Sequence, residues 1–104
     1  MKRISNLFAL LCFLPLSLFA QKGTISGKVI DKTTGEELIG ASVRAESSAA
    51  TTGAVTDIEG KFLLSVEPST YKLTFTYSSY RTEELEVTVK AGEVSYVNFP
   101  MEEA

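Results

Sequence analysis

Tyr71-Lys72-Leu73-Thr74-Phe75-Thr76-Tyr77 alternates large apolar side chains with polar ones over seven consecutive residues. Successive side chains of an extended strand point to opposite faces, whereas a helix would need apolar residues three and four apart. The stretch therefore reads as a strand with one face buried and one wet, and its bulk and regularity make it a central strand. Pro68, three residues earlier, lacks the amide a ladder needs and ends whatever strand precedes it.

Working back toward the N-terminus, the same period of two recurs. Lys61 to Val66 points Phe62, Leu64 and Val66 inward, and Asp57-Ile58-Glu59-Gly60 before it reads as a tight turn. Val55 to Ile58 reads as the short strand that completes a hairpin with it. Ser47 to Gly53 (SSAATTG) is small and polar and reads as a mobile surface loop. Ala41, Val43 and Ala45 alternate with Ser42, Arg44 and Glu46 in a further strand; Leu38 and Ile39 approach the core just before it. Gly40 between them marks a bulge or a close backbone approach. The first strand runs from Thr24 to Asp31, with Ile25, Gly27 and Val29 on one face, and ends in the turn Lys32 to Glu36, where Gly35 is free to take positive φ.

Toward the C-terminus, Arg81 to Lys90 places Leu85, Val87 and Val89 inward and Glu84, Glu86, Thr88 and Lys90 outward, charges that discourage edge pairing. Ala91-Gly92 turns into a last strand, Glu93 to Met101, where Ser95, Val97 and Phe99 oppose Val94, Tyr96 and Asn98. About seven short strands with regular turn signals and no helical periodicity indicate an all-β sandwich, a single domain over residues 21–101 with a tail at 102–104.

The first twenty residues belong to a different class. Lys2 and Arg3 precede an apolar run from Leu7 to Ala20 that contains Pro15 and ends on a small residue, the pattern of a cleavable export signal. A spanning helix needs roughly 20 apolar residues, more than this run supplies, so no transmembrane helix is expected in the mature chain. Cys12 follows apolar residues, but a lipid-attachment signal wants a small residue before the cysteine and Leu11 is large. Cleavage after Ala20 removes the one cysteine and two of the ten basic residues, leaving eight against thirteen acids, a formal charge of −5. That balance excludes a nucleic-acid partner, which needs clustered Lys and Arg.

Two stretches, GTISGKVID at Gly23 to Asp31 and TGEELIGASV at Thr34 to Val43, are followed by TGAVTDIEGKF at Thr52 to Phe62 and YKLTFTYSSY at Tyr71 to Tyr80. In this order and spacing they resemble a carboxypeptidase regulatory-like domain, and the resemblance spans Gly23 to about Phe99. Glu59 stands where the family usually has Asp, and Ser79 where glycine is common, which bears on the turn conformation there. The resemblance implies a prealbumin-like (transthyretin-like), seven-stranded antiparallel Greek-key sandwich without catalytic residues. It further implies an accessory role. In Gram-negative bacteria such domains often follow a signal peptide and precede the plug and barrel of TonB-dependent outer-membrane receptors, some of which import glycans. The expected location is thus the periplasm or outer membrane, or secretion, and the chain is expected to be either a fragment of such a receptor or a free-standing module binding protein or carbohydrate.

Chemistry-bearing residues are few. There is no histidine and, after cleavage, no cysteine, so His- or Cys-based nucleophilic and metal sites are absent from the sequence and no cofactor is expected. Glu36 with Glu37 and Glu83 with Glu84 are adjacent carboxylates; on a strand adjacent residues face opposite ways and cannot share a substrate bond. Asp57, Glu59 and Gly60 lack the longer acidic series of a calcium loop and read as a turn, with Asp57 accepting backbone N–H groups. Gly35, Gly40, Asp57 and Gly60 are therefore the structural turn positions. Tyr77, Tyr80 and Tyr96 form the candidate binding surface: an aromatic face can stack on a sugar ring, though sheet packing accounts for the same residues.

Overall fold

The computed structural model describes residues 21–104, and the expected export signal over 1–20 lies outside the described residues. Seven strands follow one another: β1 (Gly23–Asp31), β2 (Ser42–Glu46), β3 (Thr51–Val55), β4 (Lys61–Val66), β5 (Ser69–Thr76), β6 (Glu83–Val89) and β7 (Val94–Met101). They form two sheets, β4-β1-β7 and β3-β2-β5-β6, packed as a sandwich. The strand read as central is central: β5 lies between β2 and β6, and Tyr71, Leu73 and Phe75 are fully buried. Phe75 stacks on Phe99 of β7 at 4.1 Å and meets the edge of Phe62 of β4, so three aromatics tie the two sheets together across the core.

The last strand departs from the antiparallel expectation. Four ladders among the described residues are antiparallel, but β7 runs parallel to β1, in register from Thr24↔Val94 to Asp31↔Met101. The reason is topological: β4 already holds one edge of β1, and β7 arrives from the other sheet, travelling in β1's own direction. Gly27 makes this approach sterically feasible. A Cβ built there would lie 1.7 Å from the Val97 carbonyl oxygen, so this inward position holds no side chain because the β7 backbone occupies the space.

The hairpin expected over 55–66 does not form. Residues 56–58 belong to no strand, and β3 covers Thr51–Val55 in the sheet opposite β4, pairing with β2 instead. Of the expected loop at 47–53, only Ser47 to Ala50 turns the chain: the Ser47 hydroxyl accepts the Ala49 and Ala50 N–H groups, and the Ser47 N–H donates to the Ala50 carbonyl. Thr51, Thr52 and Gly53 extend as strand because β2 offers a free ladder edge. Leu38 is buried, but Ile39 beside it is exposed, since adjacent residues in extended chain face opposite ways. At Gly40, φ is 84° and nothing lies within 4 Å of a built Cβ, so the position is a backbone kink and no close approach. On β6, Val89 is buried, whereas Leu85, expected inward, is partly exposed because it sits at the open edge of its sheet.

Candidate functional site

The crossing from β3 to β4 is built by two adjacent polar residues. The Thr56 hydroxyl is buried; it accepts the Ala41 N–H at 2.8 Å and donates to the Leu38 carbonyl, while the Thr56 N–H donates to the Ala41 carbonyl. This hydroxyl takes the place of a ladder carbonyl at the end of β2–β3, which frees the chain to leave for the other sheet. Asp57 Oδ1 then accepts the N–H groups of Glu59 at 2.8 Å and Lys61 at 2.9 Å, as the turn reading requires. Those two backbone donors, Lys61 first, hold its carboxyl below the ordinary value. Gly60 closes the turn at φ 74°, with the Val29 carbonyl oxygen 2.9 Å from where a Cβ would be.

A second polar lock lies at the far end of β1. Asp31 is buried; its Oδ1 accepts the N–H groups of Thr33 and Thr34, and its Oδ2 accepts the Tyr80 hydroxyl. The Gly35 N–H donates to the Asp31 carbonyl, closing the turn at φ 78°. The tyrosine hydroxyl, followed by the Thr34 backbone donor, holds the Asp31 carboxyl below its usual range; the same bond, together with desolvation, pushes Tyr80 up to about 12. Ser79, where a glycine would be at ease, stands at φ 72°, so the turn keeps the left-handed conformation despite its side chain. The residues expected as a tail are pinned here: Glu103 bridges Tyr80, and the Ala104 N–H donates to the Ser79 carbonyl.

The three candidate tyrosines do not converge. Tyr77 and Tyr80 pack against each other at 5.5 Å and rest on the core, with the Tyr80 hydroxyl committed to Asp31. Tyr96 is 78% exposed and lies beside Ser26, five residues and therefore roughly 17 Å along β1 from Asp31. Two locking residues escaped the sequence reading. Asp31 carried a usable signal, an aspartate followed by Lys-Thr-Thr-Gly, which is an Asx-turn pattern; Thr56 carried none beyond a hydroxyl beside a turn. Among the described residues no group of three or more His, Cys, Asp or Glu is placed to hold a metal ion. An open cleft of about 360 Å³ lies between the edges of β3 and β4, lined by Ser26, Ala54, Val55, Asp57, Lys61, Phe62 and Leu63.

Comparison with known proteins places this geometry. The chain is 37% identical over 75 residues to bacillopeptidase F of Bacillus subtilis and 38% identical over 82 residues to the TonB-dependent receptor SusC of Bacteroides thetaiotaomicron. These matches cover 72% and 79% of this chain but only 5% and 8% of those two proteins. The TIE protein of Bacillus anthracis shares the fold, with a TM-score of 0.70 at 17% identity over 81% of this chain and 17% of its own. The CarboxypepD_reg-like domain family matches residues 25–104, all seven strands except the first two residues of β1. That family is a non-catalytic β-sandwich module, and this chain belongs to it.

Proposed function

We propose that this module is an accessory domain of an exported TonB-dependent outer-membrane receptor, lying on the periplasmic side and contributing contacts and placement with no chemistry of its own. The observation that carries the reading is the 38% identity to SusC over 79% of the chain. The path of the backbone agrees with it. Because β1 and β7 are parallel neighbours, the chain enters at Gly23 at one pole and reaches Met101 at the other, about 26 Å away along the strands. A module threaded in this way, with the export signal cleaved after Ala20, holds the mature N-terminus at the pole opposite to where the chain leaves. The export signal read in residues 1–20 fits the same placement.

The test is cell fractionation with an epitope inserted in the Ser47–Ala50 turn, where Ser48 and Ala49 are exposed. The expected result is an outer-membrane band far larger than 11.3 kDa. A species of about that mass or slightly less in the periplasm or medium overturns the receptor reading. It would favour the second one, a free-standing exported module that binds carbohydrate or protein, for which exposed Tyr96 is the supporting observation.

A further inference from the structure

Each sheet of the sandwich has two open edges, β4 and β7 in one and β3 and β6 in the other, and the two sides of the molecule treat them differently. On one side β6 carries Glu83, Glu84 and Glu86, and β7 carries Pro100, which has no amide to offer. On the other side β3 has no charged residue and β4 has only Lys61 at its first position. Leu63 on β4 is 66% exposed, Val55 at the end of β3 64% and Ile58 in the crossing 79%.

The backbone of β4 is available on this side. The Val29 N–H donates to the Gly60 carbonyl, and stepping by two along the antiparallel register turns the polar groups of Phe62, Leu64 and Val66 toward β1. Those of Leu63 and Ser65 therefore point away from β1, where among the described residues no strand meets them. The Lys61 N–H and carbonyl are already taken by Asp57, which leaves two residues with four backbone groups to pair.

We propose that β4 is an assembly edge at which a second copy of this chain pairs antiparallel, joining the two three-stranded sheets into one. The charges select both the occupant and the register. With the two-fold axis at Leu64, Leu63 faces Ser65 of the second copy, Phe62 faces its Val66 on the core side, and Lys61 faces its Glu67 on the outer side, each pair occurring twice. Shifting the axis to Leu63 keeps the faces aligned but sets Glu59 against Glu67, a like-charge pair that disfavours that register. In the single copy Lys61 reaches Glu59 at 3.5 Å and Glu67 reaches Lys22 at 3.8 Å; these exposed pairs contribute little and are free to exchange.

The experiment is sedimentation velocity on the full chain, expressed with its own N-terminal segment and purified as the cell delivers it, over a concentration series. A concentration-dependent dimer is expected. Leu63→Lys and Ser65→Pro should each yield monomer with the β-sheet circular dichroism retained. Lys61→Glu alone and Glu67→Lys alone should each weaken the dimer by about tenfold or more, and the double exchange should restore it. A single monomeric species at every concentration overturns the proposal and leaves the edge to a different partner. So does a dimer indifferent to Leu63→Lys, or charge reversals whose combination fails to restore what each removes.

Discussion

Two polar locks lie near the C-terminal end of β1, one toward the β3/β4 side and one where β7 ends, and they differ in kind. On the β3/β4 side, Thr56 binds Ala41 and Leu38 while Asp57 binds Glu59 and Lys61, so every partner is a backbone group, and the farthest is 18 residues away. At the pole where β7 ends, Tyr80 binds Asp31 across 49 residues, and both partners are ionisable side chains. The first lock decides where the chain changes sheets. The second holds together elements that are already built, and proton concentration can reach it. A backbone lock fixes topology, whereas a side-chain lock makes stability answer to solvent conditions.

The strongest way to break the contrast is to remove what both locks presuppose, the close packing of β1. Gly27→Val places a Cβ on the Val97 carbonyl and should cost more than about 4 kcal/mol, so that the protein fails to fold; a cooperative thermal melt near that of the parent would show that β1 and β7 can separate cheaply. Gly60→Val combines left-handed backbone with a contact at 2.9 Å and should cost about 3 kcal/mol by chemical denaturation, through loss of the β3/β4 crossing. Thr56→Val keeps the shape but strands the Ala41 N–H and the Leu38 carbonyl in the core, with an expected loss of about 2–3 kcal/mol at every pH, since no titrating group is involved.

The lock between Asp31 and Tyr80 should reveal itself through pH. Tyr80 has a raised folded-state value, so its contribution is complete below pH 10 and is lost as pH rises from 10 toward about 12. Asp31 has a depressed one, so its contribution is present above the ordinary carboxylate value of 3.8 and is lost as pH falls below it. Denaturation of Tyr80→Phe measured against pH should therefore lack the alkaline loss that the parent shows; parallel curves between pH 10 and 12 would remove the hydroxyl from the account. The smallest effect is expected at Tyr96, which touches neither lock: Tyr96→Ala should change stability by less than about 0.5 kcal/mol. If the parent binds any glycan on an array and Tyr96→Ala loses it, the exposed ring is a sugar platform; a flat array for both makes the side chain part of the solvated sheet face.

Both locks also show what a single sequence reveals. The alternation in Phe62, Leu64 and Val66 and in Tyr71, Leu73 and Phe75 was readable because burial on one face is written into every second residue. The turn at Asp57 was readable because its hydrogen bonds close within four residues. Val55 to Ile58 misled because apolar residues normally signal a buried strand, whereas Val55 and Ile58 are both exposed at the side of the sandwich. Tyr80 read as either a sugar-stacking or a sheet-packing aromatic, for want of any local sign that its hydroxyl would meet Asp31.

The all-β class, the inward face of each regular strand and the turns at Gly35 and Gly60 are written in the chain itself, because they are properties of a few neighbouring residues and their allowed backbone angles. Three features emerge only when distant segments pack: β3 and β4 lie in different sheets, β7 runs parallel to β1 past Gly27, and the Tyr80 hydroxyl meets the Asp31 carboxylate. Pairing depends on which unsatisfied edge comes within hydrogen-bonding reach once the core has closed, and, proline apart, every residue of a strand offers the same backbone groups whatever its side chain.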